Sequence, residues 1–139
     1  MTLAAWKGHV QIVQMLLNSV ADVNVQETSG ESALFIASTH GHDEVVHMLI
    51  DNKAEMNVRD NQGITPLMAA SYGGHIRTVQ MLVNERAELN MEDEYGLTDL
   101  MCAALKGQDQ VVQLLTALML ADYADHVHVA QMLKDKLIH

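Results

Sequence analysis

Apolar and polar positions along the chain fall into a repeating order: a polar break, a short apolar helix, a glycine, a longer helix with one apolar stripe, and a polar exit. The stretch from Asp60 to Glu92 shows the order most completely. Asp60, Asn61, Gln62 and Gly63 are turn formers, with Gly63 suited to a left-handed hairpin tip. Thr65 is placed to cap a helix, and Pro66 suits its first position, where the missing N–H and the fixed φ do no harm. Leu67, Met68, Ala69 and Ala70 give that helix a packing face, and Gly74 is its C-terminal stop. A second helix is predicted from Ile76 to about Asn84, because Ile76, Val79, Leu82 and Val83 recur at helical spacing. Ala87-Glu88-Leu89-Asn90 then leads into the next turn.

This order returns every 33 residues: Gly30, Gly63 and Gly96 form one series, and Gly8, Gly41, Gly74 and Gly107 another. Only Gly73 lies off both series. Gly63-Ile64-Thr65-Pro66-Leu67, Gly74-His75 and Ala21-Asp22-Val23-Asn24 resemble the G-x-T-P-L, G-H and A-D-V-N motifs of the ankyrin repeat family. The pattern recurs as Gly30-Glu31-Ser32-Ala33-Leu34 with Gly41-His42, and as Gly96-Leu97-Thr98-Asp99-Leu100 with Gly107-Gln108. The resemblance implies an all-α repeat solenoid of helix-turn-helix units joined by β-hairpin or turn loops. Residues 1–139 read as a single ankyrin repeat domain: a partial repeat over 1–26, repeats over 27–59, 60–92 and 93–115, and a C-terminal capping repeat over 116–139. The first unit starts within its first helix, at Leu3 to His9, as a fragment of a longer array would.

Two departures from the family pattern bear on packing. Phe35, Met68, Met101 and Met119 stand where the family carries histidine, which predicts an apolar seam in place of a polar network. Val20, Lys53 and Arg86 replace the glycine before the exit alanine. Either they adopt a left-handed conformation at about 1–2 kcal/mol each, or the turn relaxes.

The C-terminal quarter holds no glycine or proline between Asp109 and His139. Even so, Thr116-Ala117-Leu118-Met119 resembles the start of a fifth first helix, Tyr123 to His126 its end, and Val127 to Ile138 a second helix. Asp125 follows Gly107 by 18 residues instead of 33, so a hairpin of fifteen residues is missing near Leu115-Thr116. The alternative is a fourth-unit helix that runs straight on and promotes domain swapping; otherwise the chain reads as a monomer.

Net charge of −10 disfavours nucleic acid and favours a basic or apolar protein surface as partner. No apolar run approaches the roughly 18 residues of a membrane span, and the first residues do not resemble a signal peptide. The lone Cys102 fits a reducing compartment, cytoplasmic or nuclear.

The resemblance implies a concave binding surface on the hairpin tips and the exposed ends of the first helices. First-helix candidates are Trp6, Lys7, Thr39, His40 and Tyr72, then Leu105, Lys106 and Tyr123. Hairpin candidates are Thr28, Ser29 and Glu31, then Asn61, Gln62 and Ile64, then Glu94, Tyr95 and Leu97. Trp6, Tyr72, Tyr95 and Tyr123 are four of only five aromatic residues, and such side chains dominate interface hot spots. The expected function is a non-catalytic protein or peptide interaction module, without cofactor or metal. The alternative is a scaffold segment whose Asn24, Asn57 and Asn90 resemble the sites of an asparaginyl hydroxylase in ankyrin proteins. The histidines, including His40, His42 and His47 and the pair His126 and His128, lack a completing cysteine pair or carboxylate set and read as structural. Cys102 reads as core, as do Met15, Met48, Met81 and Met132 on their helical spacing.

Overall fold

The computed structural model describes residues 1–138 and folds them into eight helices. The first unit supplies α1 (Thr2–Lys7) and α2 (Val10–Asn18), the second α3 (Ala33–His40) and α4 (Asp43–Asp51). The third supplies α5 (Pro66–Gly73) and α6 (Ile76–Asn84), the fourth α7 (Asp99–Leu105) and α8 (Asp109–Ile138). The cap residues act as their chemistry dictates. The hydroxyls of Ser32, Thr65 and Thr98 accept from the backbone N–H of Phe35, Met68 and Met101 at 3.2, 3.2 and 3.3 Å. Gly8, Gly41 and Gly74 close the first helices of the first three units at φ 66, 66 and 70°, the left-handed turn that lets the second helix fold back.

First helices pack on first helices, in the order α1, α3, α5, α7, and second helices on second helices, in the order α2, α4, α6, α8. Ala4, Ala37, Ala70 and Ala103 occupy one repeat position and are all buried, so that small side chains allow the first helices to approach closely. Leu34 and Leu67, with Leu49, Leu82 and Leu115, fill the space between the two helix layers. The hairpins are closed by Glu27 N–H to Glu31 O at 2.9 Å, Asp60 N–H to Ile64 O at 3.0 Å and Asp93 N–H to Leu97 O at 3.0 Å. They stack edge to edge through Asn61 N–H to Ser29 O and Glu94 N–H to Gln62 O, both 2.9 Å. Gln26 and Ser32 form an isolated antiparallel bridge, and no longer strand occurs among the described residues.

The C-terminal region differs from the expected capping repeat. Residues 109–138 form one continuous 30-residue helix, with no break at Thr116 or Asp125. Without a glycine or proline to stop it, helix propagation adds a hydrogen bond per residue and runs on. His139, the last residue of the expected capping repeat, lies outside the described residues. Methionine placement differs as well. Met48 and Met81 pack against the core, whereas Met15 is 71% and Met132 49% exposed. Helical spacing alone marks a face; it does not say whether another element covers it.

Val20, Lys53 and Arg86 take the strained option, at φ 64, 68 and 66°. Val20 is β-branched and almost fully exposed, so its side chain gains no packing in return. Relief of about 1–2 kcal/mol in the native turn exceeds the roughly 0.4–1 kcal/mol lost to a more flexible unfolded chain. Val20→Gly is therefore expected to stabilise the fold by about 1 kcal/mol in urea denaturation, with smaller gains for Lys53→Gly and Arg86→Gly.

Asp99, which stands where the third unit has Pro66, is buried. Its carboxylate accepts from the N–H of Leu100 at 3.0 Å and of Asn90 at 3.3 Å. Burial nevertheless pushes the carboxyl above its ordinary value, outweighing those backbone hydrogen bonds. A group raised in the folded state contributes fully below its unfolded pKa, about 3.9, and that contribution is lost as pH rises through the folded value. Relative to Asp99→Asn, the wild-type chain is expected to lose stability as pH is raised above about 4. Parallel pH-dependent melts of the two proteins would show no divergence if Asp99 were solvated.

Candidate protein-binding surface

Stacking brings the hairpin tips and first helices of consecutive units onto one side. Between the second, third and fourth units lies a cleft of about 330 Å³. Its floor is apolar, made by Phe35, Met68, Ala69 and Cys102, and its rim carries Glu31, Asp60 and Gln62. Five expected site residues, Glu31, Thr39, Gln62, Ile64 and Tyr72, line it together. The Lys106 ammonium lies 5.0 Å from the centroid of the half-exposed Tyr72 ring. That distance is within cation–π range and favours the ring's place at the cleft edge.

A second cluster sits on the first two units. Lys7 Nζ is 4.2 Å from the Trp6 ring centroid, and the Trp6 ring meets His40 edge-on at 6.2 Å. His40 stacks in turn on His42 at 5.8 Å and also hydrogen-bonds the Ile36 carbonyl at 2.9 Å. Trp6, Lys7 and His40 thus form one exposed aromatic and cationic edge, separate from the lining of the cleft.

The remaining expected residues are placed less uniformly. Asn61 is committed to hairpin stacking: its backbone N–H reaches Ser29 O and its side-chain amide reaches Thr28 O at 2.9 Å. Ser29 donates to Glu31 at 2.8 Å. Tyr95 stands at the third hairpin tip, 75% exposed, with Glu94 beside it; the hydrogen bond and charge of Glu94 hold its phenol above the ordinary value. Leu97 is half-buried, its N–H donating to the Asp93 carboxylate at 2.8 Å. Leu105 is exposed on the last first helix. Tyr123 is exposed too, but it lies on α8 and not on a first helix, because the chain makes no turn before it.

Asn24 and Asn57 accept from the N–H of Glu55 and Glu88 at 2.8 and 2.9 Å, each tying its unit to the next. Asn90 is exposed at φ 62°, with its backbone N–H on Asp99. Among the described residues, no three or more His, Cys, Asp or Glu are grouped as metal ligands. His47 pairs with Asp51 at 2.9 Å and His126 with Asp122 at 3.5 Å, while His42 and His75 reach back to the preceding unit. Gly73, the glycine outside both series, has a local reason: a Cβ there would stand 2.6 Å from the His75 ring.

The cleft floor is what sequence reasoning missed. Phe35 and Met68 carry a signal, since they replace a polar family position, but in sequence alone a packing seam and a cleft floor look the same. Cys102 is buried; burial pushes its thiol up, and the Asp93 and Asp99 charges add to the effect. The side chain is held as a neutral thiol, a poor nucleophile.

Comparison with protein families matches the chain to ankyrin repeats, in three copies, over residues 1–93 and 46–117. The chain belongs to the ankyrin repeat family. A search of curated proteins returned no match. Ankyrin repeats are generally protein–protein interaction modules and typically non-catalytic. No helix among the described residues is long and apolar enough to cross a membrane.

Cys102 in the native chain is expected to react with iodoacetamide at pH 8 more slowly than free cysteine, and at the free rate in denaturant. Rapid native alkylation would contradict its burial.

Proposed function

We propose that the chain binds a protein segment carrying an apolar side chain flanked by lysine or arginine. The observation that carries this reading is the cleft between the second, third and fourth units, with an apolar floor and the carboxylates of Glu31 and Asp60 at its rim. An aliphatic or aromatic side chain of the partner would be desolvated against the exposed Tyr72 ring and the part-exposed Ile64 and Ala69, which line the cleft together with the buried Phe35 and Met68. A neighbouring cation would find the acidic rim in a chain of net charge −10, which also speeds encounter. Tyr72 at the cleft edge and Trp6 on the neighbouring edge offer large half-exposed rings with few rotatable bonds, which lose little conformational freedom on binding. A reducing compartment, cytosol or nucleus, suits the neutral thiol of Cys102 in the cleft floor.

The hydroxylase reading is favoured at one position only. Asn24 and Asn57 are held by hydrogen bonds to the following unit, whereas Asn90 is exposed.

Panning the intact chain against a random peptide library is expected to enrich sequences that pair an apolar residue with Lys or Arg. Trp6→Ala/Tyr72→Ala is expected to lose most of that binding while changing stability by only about 0.5 kcal/mol, as exposed substitutions do. Enrichment of acidic peptides, or undiminished binding by the double variant, would sink the reading.

A further inference from the structure

The interface between successive units continues to the far side of the fourth unit and stops there uncovered. Gly8, Gly41 and Gly74 each face His42, His75 or Gln108 of the next unit, but a Cβ at Gly96 or Gly107 would meet nothing within 4 Å. Met68 is 1% exposed under the fourth unit, whereas its counterpart Met101 is 48% exposed. Leu105 beside it is exposed as well.

The sequence suited to this face is present in the chain. Thr116, Leu118, Met119, Ala121, Tyr123 and His126 repeat, at the same spacing, Thr65, Leu67, Met68, Ala70, Tyr72 and His75. Gln131-Met132-Leu133 likewise repeats Gln80-Met81-Leu82. Yet Ala70 is fully buried and Ala121 exposed. The segment cannot reach its own end face. Between α6 and α7 the chain crosses from the second-helix layer to the first through a hairpin, whereas Thr116 continues α8 without a turn. At 1.5 Å per residue the helix carries residues 117–138 about 30 Å onward, away from α7.

We propose that residues 116–138 of one copy cover the α7 end face of a second copy, and the reverse, in a closed two-fold exchange. The second copy is the fitting occupant because this face extends an interface whose next sequence lies within the chain. Loss of a connecting loop is a known route to such exchange.

Sedimentation equilibrium of the full chain is expected to give twice 15.4 kDa. Ala121→Glu, exposed in one copy and a good helix former, is expected to give 15.4 kDa with unchanged helix content. Inserting a second copy of residues 83–97 between Leu115 and Thr116 restores the connection and is expected to give a monomer of the lengthened chain. A monomeric wild type, a dimeric Ala121→Glu or a dimeric insertion variant overturns the proposal. So does growth beyond two copies, which would direct the segment to the exposed Leu3, Ile12 and Met15 at the other end of the stack.

Discussion

The stack depends on one contact made three times: a ring or amide from each unit laid over the turn glycine of the unit before. His42 Nε2 lies 3.0 Å from Trp6 O, His75 Nε2 3.0 Å from Thr39 O, and the Gln108 amide 3.1 Å from Tyr72 O. Each acceptor is a carbonyl in the last turn of a first helix, one of the groups a helix leaves unsatisfied. The glycine is required twice over, by its positive φ and by the approach of the ring; a Cβ on Gly8 would stand 2.8 Å from His42 Nδ1. No unit is complete by itself, since its helix end is closed only by the next.

That contact also explains how the binding face can vary without loosening the fold. Trp6, Thr39 and Tyr72 give their carbonyls to the framework and keep their side chains exposed, Thr39 and Tyr72 along the cleft and Trp6 on the separate edge. Backbone atoms hold the register, so the side chains at these positions are released from holding it and can differ from unit to unit. Specificity for a partner then resides in side chains that the stack does not need. The hairpins follow the same division: the Asn24 and Asn57 carboxamides and the backbone of Asn61 lock neighbouring tips, leaving Gln62 and Tyr95 exposed.

Whatever was written locally could be read from the sequence. Thr65, Pro66 and Gly74 bound α5 to the residue, because caps, proline and positive-φ glycine act within a few bonds of themselves. What arises between units was not legible. The burial of Asp99 depends on the turn around Asn90 folding over it, and the cleft floor depends on Phe35, Met68 and Cys102 meeting from three units. At Thr116 two local signals disagreed, a repeat motif calling for a new unit and a run without glycine or proline calling for more helix. With no residues available to build a turn, helix propagation prevailed.

The apolar floor is itself a consequence of how the stack is held. Where histidine would bind hairpins together in the family pattern, Phe35 and Met68 fill volume without direction, buried to 5% and 1% exposure. Nondirectional packing cannot set the register between units, so register falls to the histidine and glutamine contacts at one end of the first helices and to the asparagine bonds at the hairpins. Freed from that task, the middle of these first helices can place hydrocarbon and sulfur behind the side where Tyr72 and Glu31 stand. An apolar residue at that position thereby backs the cleft with hydrocarbon and sulfur where the family pattern would set an imidazole.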